Sequence, residues 1–350
     1  MDAAGHSCYV PTSQALMKLI VLISAFNEAA TVAEVISDIP RRFMGAETSE
    51  VIVVDDGSRD GTAGVARSTG AHVIAHGRNR GVGMAFRTGV SAALTRGADI
   101  IVHLDADGQF NPADIPALTA PIIEGHADIT TCTRFKDPSL QPAMPGIKRW
   151  GNQMVTGIVN LATGHNFTDV SCGFRALTRE AALRLTLFGR FTYTQEMFLD
   201  AVQKDLRVVE VPLGVRGERE TGHSRVYRNA WDYAARSAAI LFRAFRDGSP
   251  LRVFGSCAVL VGGMGIAAGA FVFAHWLRTG QTFPYRSLVT VSAVLILLSA
   301  FFATVALLAD MLKRQRKILE EILYYERAMA YRRAPTPARA VAATAEQYER

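Results

Sequence analysis

Residues 103 to 110 read HLDADGQF, an apolar run that ends in Asp105, Asp107 and Gln109. On an extended backbone alternate side chains point the same way, so three oxygen-bearing groups can converge on one point. Convergent carboxylates repel and call for a positive partner that the sequence does not supply. Oxygen donors with no nearby cysteine or paired histidine favour a hard divalent ion, Mg2+ or Mn2+, over zinc. An EF-hand is excluded, because its bidentate glutamate and the rest of its loop are missing. A hard ion with open positions usually bridges phosphates. The plainer reading, a solvated turn before a helix beginning at Pro112, does not need aspartates on alternate positions.

A second carboxylate pair stands in VVDDGSRDGT, Val53 to Thr62. A turn with a helix cap accounts for Gly57 and Asp60. It does not account for Asp55 and Asp56 side by side at a strand's exit, where a ribose hydroxyl or a base edge would give them a partner. NRGVGMAFRTG, Asn79 to Gly89, only partly matches a GxGxxG dinucleotide loop, since Phe86 replaces the third glycine. Its glycines are expected to let loop and helix approach a sheet.

The elements that must position these groups follow from periodicity. Apolar runs at 19–25, 51–54, 71–75, 100–104 and 129–131 alternate with helical segments at 31–39, 62–68, 84–95 and 112–124. That alternation predicts an α/β fold with a mostly parallel sheet, in which ligands bind beyond the carboxyl ends of the strands. The polar clusters fall at those ends, Asn27 and Glu28 included.

Hydrophobic residues make up 49% of the 350, which excludes a disordered chain, and the formal charge is +6. Cys8, Cys132, Cys172 and Cys257 form no CxxC or Cys/His pattern, which argues against structural zinc and a disulfide framework. No charge interrupts 253–273 or 287–309, so each can cross a hydrocarbon core about 30 Å thick as a helix. Lys313, Arg314, Arg316 and Lys317 after the second run, with the arginines before the first, predict a cytosolic catalytic part by the positive-inside rule. The spans predict an integral protein of the cell membrane, or of the endoplasmic reticulum in a eukaryote. The glycine-rich first span permits self-association into a homo-oligomer. Six arginines with interleaved aromatics between 225 and 252, directly before that span, point to membrane lipid and not to nucleic acid. The expected layout is an extension (1–17), a catalytic domain (18–225), juxtamembrane amphipathic helices (226–250), two transmembrane helices (251–312), and a basic amphipathic helix with a flexible tail (313–350). The helix after Lys313 is expected to lie on the membrane or on the catalytic domain.

The ordered set SAFNE, VVDDGS, NRGVGMAFRTG, LDADGQF, TRF, DVSCGFRA, TQE and RGERETGHSR resembles glycosyltransferase family 2, in its dolichol-phosphate-mannose synthase-like or polyprenyl-phosphate branch. The resemblance implies a GT-A fold and transfer from a nucleotide-diphosphate sugar, GDP-mannose or UDP-hexose, to a polyprenyl (dolichyl or undecaprenyl) phosphate. It implies that Phe26, Glu28, Asp55 and Asp56 hold the nucleotide, with Ser24, Asn27 and Ala106 beside them, and that Asp105 and Asp107 contact the donor. Asp107 and Gln109 would ligate the metal. The chain departs from the family at Ser24–Ala25–Phe26, where Pro-x-Tyr is common, so base stacking falls to Phe26. Gly108 stands where mannose-transferring members often carry leucine.

An ionised lipid monophosphate needs cations more than it needs a base. Arg134, Arg175, Arg216, Arg219 and Arg225 are the expected basic set, Arg216 and Arg219 serving the donor and Arg134, Arg175, Ser224 and Arg225 the acceptor phosphate. Gly222 and Ser224 lie in a loop expected to close over the donor. Asp169 and Glu196 orient the acceptor or sugar, or pair with these arginines. The chemistry implied is direct displacement with inversion. A processive polysaccharide synthase is the nearest alternative, but its QxxRW motif has Gly146 in the glutamine position before Arg149–Trp150. A silent nucleotide-sugar-binding scaffold is the alternative outside catalysis.

Overall fold

The computed structural model of the chain describes residues 16–43, 45–142, 144, 146–187, 189, 193–216 and 250–331. Two compact units divide it: residues 1–228 with 327–350, and residues 229–326.

The first unit is built around β1 (Met17–Ala25), whose last seven residues are buried. A run buried on both faces suits a strand with parallel neighbours and helices above and below. β1 pairs in parallel with β3 (Ala46–Asp55) on one side and β5 (Ile100–Asp105) on the other. Beyond β3 lie β4 (His72–Ala75), parallel, and β2 (Arg42–Phe43), antiparallel. On the other flank β7 (Arg175–Thr178) runs antiparallel between β5 and β6 (Ile129–Thr133), and β8 (Val208–Pro212) is parallel to β6. The expected mostly parallel α/β sheet is present, with β7 as the reversed strand at its middle.

Alternation along the strands sorts the core. Leu19, Val21, Ile23, Val102 and Leu104 pack in one cluster with α1 (Val32–Ser37) and α4 (Ile115–Ile123). Residues one step on point the other way, toward α3 (Val82–Thr95). A Cβ on Gly89 of α3 would lie 1.9 Å from Leu22 Cδ1, so glycine there does let helix and sheet approach. α2 (Thr62–Ser68) follows β3, and α5 (Gly146–Thr163), α6 (Arg179–Arg184) and α7 (Tyr193–Gln203) complete the described helices of this unit.

The second unit holds α8 (Pro250–Thr279) and most of α9 (Arg286–Ala330), two helices long and apolar enough to cross a membrane. Small residues form the seam between them. Ser292 Oγ donates to Gly265 O and Ser299 Oγ to Ala258 O, both at 2.8 Å, and a Cβ on Gly262 or Gly269 would strike those hydroxyls at 2.6 and 2.7 Å. Close backbone approach with a hydroxyl bonded across it is how helices associate where water gives no hydrophobic drive.

α9 differs from expectation. Instead of a second helix starting near Lys313, one unbroken helix of 45 residues runs on, about 68 Å at 1.5 Å per residue. No Gly or Pro interrupts 310–330, and the i,i+4 pairs Asp310–Arg314 and Glu320–Arg316 support the helix past the apolar stretch. The last turn belongs to the first unit, where Arg327 Nη1 donates to Leu183 O (3.2 Å) and Leu185 O (2.8 Å). Tyr331 Oη lies 2.8 Å from Ser91 Oγ on α3. Of the two surfaces expected for this segment, the catalytic domain receives its end. The flexible tail from 332 on, and all but the last residue of the juxtamembrane helices expected at 226–250, lie outside the described residues.

Candidate active site

Register brings the polar strand ends together: Ser24 lies opposite Asp105, and Ala25 opposite Asp55. Side chains stitch the loops that follow. Asn27, left-handed at φ 54, accepts the Arg59 N–H at 2.8 Å through Oδ1, while its own N–H donates to Ser58 Oγ at 2.8 Å. Glu28 N donates to Thr62 Oγ1 at 2.9 Å. Asp55 Oδ1 accepts the Ser58 N–H at 3.0 Å and the Ser58 hydroxyl. Gly57 has φ 82, and a Cβ there would sit 2.6 Å from the Arg78 carbonyl carbon, so the turn admits no side chain.

Asp56 is buried and faces inward to the protein. It accepts the Arg80 N–H at 2.9 Å and the Gly81 N–H at 2.8 Å, and lies 2.7 Å from His76 Nδ1. This carboxylate holds the 76–81 loop.

The HLDADGQF turn closes through Gly108 at φ 71. Asp107 is 3% exposed and accepts the Gln109 N–H at 3.1 Å. Ala106 N donates to Ser24 O at 3.1 Å and its carbonyl accepts from Thr31 Oγ1 at 2.6 Å, fixing the turn to the β1 exit. Gln109 Nε2 donates to Arg216 O at 3.2 Å and Arg216 N donates to Gln109 O at 3.0 Å, so Arg216, exposed, stands beside the turn. Arg219, Gly222, Ser224 and Arg225 lie outside the described residues.

Behind Asp105 is a buried polar group that sequence reading missed. A Cβ on Gly173 would lie 3.0 Å from Asp105 Oδ2. The Gly173 carbonyl accepts from His103 Nδ1 at 2.9 Å, leaving Nε2 to accept from Ser24 Oγ at 2.9 Å. The Phe86 ring meets His103 edge-on, and Tyr193 Oη lies 3.3 Å from Nδ1. Complete burial pushes His103 down to about 4; the Gly173 carbonyl opposes this and the Arg175 charge adds to it. Burial, then the Asp105 charge, pushes the Tyr193 phenol up. The signal in the sequence was a histidine on the inward step of an otherwise apolar strand.

Two arginines expected at the acceptor phosphate have different surroundings. Arg134 is clamped on one edge by Asp169, Nε to Oδ2 at 2.6 Å and Nη2 to Oδ1 at 3.0 Å. Burial opposes its charge, but the carboxylate more than offsets that and raises its pKa. Nη1 makes no hydrogen bond among the described residues, and a fifth of the side chain stays accessible. Asp169 itself is fully buried. It accepts the Ser171 N–H at 3.1 Å and Asn152 Nδ2 at 3.4 Å, and Glu210 on β8 holds its backbone N–H at 2.8 Å. The pairing of Asp169 with an arginine is thus realised, and Glu196 accepts the Gly189 N–H at 2.6 Å.

Arg175 is 1% exposed. Its guanidinium donates to Cys172 O (2.8 Å), Thr194 O (2.9 Å) and Val170 O (3.1 Å) and stacks 4.9 Å from the Phe198 ring centroid. Burial lowers its pKa. At the start of a strand with neighbours on both sides, it spends these donors on the carbonyls around it. It closes the 170–175 loop around Gly173.

Among the described residues no three His, Cys, Asp or Glu side chains converge into a metal cage. Asp105, Asp107 and Gln109, at the end of β5 and in the turn after it, carry oxygen donors. That fits a Mg2+- or Mn2+-type ion whose remaining positions are filled by phosphate and water.

The sequence profile described as glycosyl transferase family 2 matches residues 20–186, β1 to just past α6. The UDP-N-acetylglucosamine–dolichyl-phosphate N-acetylglucosaminyltransferase of Methanococcus voltae is 32% identical over 217 residues, 56% of this chain and 85% of that one. The chain belongs to glycosyl transferase family 2. Glycosyltransferase AglJ of Haloferax volcanii is 27% identical to this family 2 glycosyltransferase over 321 residues, 89% of this chain and 100% of AglJ. Crystalline glucosyl-3-phosphoglycerate synthase of Mycobacterium tuberculosis, in a complex with Mn2+ and UDP, superposes with a TM-score of 0.50 at 22% identity, over 66% of this chain and 80% of that one. This structural likeness supports the GT-A fold expected for the family 2 catalytic domain.

Proposed function

We propose that this glycosyltransferase moves one hexose from a nucleoside-diphosphate sugar to the phosphate of a polyprenyl lipid, at the cytosolic face of a membrane that α8 and α9 cross. The observation that carries the reading is the division of the site: carboxylates gathered at the ends of β1, β3 and β5, and a cation, Arg134, pre-oriented by Asp169. The Methanococcus relative, named for a dolichyl-phosphate acceptor and a UDP-sugar donor, supports the same pair of substrates.

Phe26, Glu28 and Asp55 take the base and ribose, with Ser24, Asn27 and Ala106 shaping that pocket and Asp56 holding its 76–81 wall. Asp107 and Gln109 would hold a divalent ion, with Asp105 beside them on the donor. Such an ion, when bound, neutralises charge on the leaving diphosphate. Arg134 draws the acceptor phosphate in through Nη1, with Arg216 near the donor phosphates. A phosphate monoester with second pKa about 6 is ionised at neutral pH and needs no base. One of its oxygens attacks sugar C1, forming the new C1–O bond as the bond to the diphosphate breaks, and the electron pair leaves with the nucleoside diphosphate. Arg175 and Asp169 are positioning residues, acting through Gly173 and Arg134.

The test uses full-length protein in detergent with Mg2+ or Mn2+, radiolabelled UDP- and GDP-sugars, and dolichyl or undecaprenyl phosphate. Label in the organic phase that requires both metal and lipid phosphate is expected. Label that ignores the lipid phosphate would overturn the acceptor assignment.

A further inference from the structure

α5 has two apolar faces. Val155 and Val159 point inward with Asn152 and Thr156, all buried. On the opposite side Trp150, Met154 and Leu161 are 64%, 46% and 73% exposed, at steps of four and seven residues, with Gly157 between them on the same line. Steps of four and seven keep side chains within one narrow sector of a helix. An exposed tryptophan heading such a stripe is uncommon on a surface meant only for water. The helix carries Lys148 and Arg149 and no aspartate or glutamate in 18 residues. A cationic, acid-free helix with a Trp–Met–Leu face is complementary to an anionic lipid surface, where tryptophan settles at the headgroup boundary. The same chain carries two helices able to span a bilayer, so such a surface is always at hand.

The inner face of α5 reaches the candidate site. Asn152 Nδ2 donates to Asp169 Oδ1 at 3.4 Å, and its carbonyl oxygen accepts the Ser171 hydroxyl. Asp169 in turn clamps Arg134.

We propose that α5 is a membrane-docking helix whose outer stripe seats in the lipid surface and whose inner face fixes the Asp169–Arg134 pair. A phosphate headgroup arriving from the bilayer is thereby met by the cation at a set depth. This rests on the lipid-phosphate acceptor proposed above and adds where the catalytic domain touches lipid.

The experiment has two arms on full-length protein reconstituted in anionic vesicles. In the first, Trp231→Phe and Trp276→Phe leave Trp150 as the one tryptophan, and lipids brominated near the headgroup end of the acyl chain are the quencher. Strong quenching by brominated lipid with protection from aqueous iodide is expected. Quenching by iodide alone overturns the proposal, as does a disulfide between two copies of a Trp150→Cys variant, which would give the stripe to a second copy. In the second arm, Met154→Glu with Leu161→Glu is assayed with a long-chain polyprenyl phosphate in the vesicles and with a short-chain, water-soluble prenyl phosphate. Loss of the seated stripe lowers kcat/KM for the vesicle-borne acceptor roughly tenfold and leaves the soluble one unchanged. Equal rates for variant and parent on both acceptors overturn the docking. Absence of transfer to either acceptor by the parent instead sinks the acceptor assignment, and the quenching arm still decides where α5 lies.

Discussion

His103 offers a quantitative test of the site's scaffold. Its ordinary pKa is 6.5, and in the fold burial brings it down to about 4. Between those values the unfolded chain binds a proton that the folded chain refuses, so stability is present above 6.5 and is lost as pH falls toward 4. Each pKa unit is worth about 1.4 kcal/mol, so the full gap carries about 3 kcal/mol. The portion lost between pH 7 and pH 5 is about 2 kcal/mol by the same linkage. His103→Gln removes the titration while a glutamine amide can still bond Ser24 Oγ and the Gly173 carbonyl, both 2.9 Å from the imidazole. The assay is denaturant unfolding of the detergent-solubilised protein at several pH values, parent against variant, so that every other titrating group cancels. The parent should lose stability toward pH 5 by about 2 kcal/mol more than His103→Gln does. Parallel curves for the two proteins would refute the buried, neutral histidine and the Ser24–His103–Gly173 chain built on it.

Three further substitutions probe other parts. Asp169→Asn leaves Arg134 without its carboxylate and should cost about 2 to 3 kcal/mol of stability, with a raised KM for the lipid acceptor; unfolding and steady-state kinetics check both. Gly57→Ala forces a Cβ onto the Arg78–Asn79 backbone at φ 82 and should weaken nucleotide-sugar binding, measured by calorimetry, with a stability loss of about 1 to 3 kcal/mol. Gly265→Leu would drive a side chain into Leu295 and Ile296 across the α8–α9 seam, so a disulfide engineered between the two helices should form less readily in the variant.

The strand ends could be read in sequence because a parallel sheet leaves a plain trace: unbroken apolar runs that stop at carboxylates. Asp105 ends β5 with Asp107 just beyond it, and Asp55 ends β3 with Asp56 next to it. What hid was the reversed strand in the sheet, β7. β7 is four residues long and enters on Arg175, a charge that in a sequence points to a surface. Only its place between β5 and β6, with carbonyls of three residues around the guanidinium, makes it a core residue. Asp56 hid for a related reason, because nothing in VVDD says which carboxylate takes the Ser58 turn and which the 76–81 loop. Asn152 and Glu210 reach Asp169 from 17 and 41 residues away in the chain, and no local pattern records it. The continuous α9 was legible in the absence of any breaker after Asp310, but the charge cluster there resembles a boundary.

The most direct measurement is of bonds made and broken. Full-length protein is incubated with donor and polyprenyl phosphate, the lipid product is examined by phosphorus NMR, and the released nucleotide is identified. Displacement at sugar C1 predicts one phosphodiester resonance in the lipid and one nucleoside diphosphate released per sugar transferred. A diphosphate-linked lipid with nucleoside monophosphate released would contradict it, since the acceptor would then have attacked phosphorus and the site would have been read for the wrong bond.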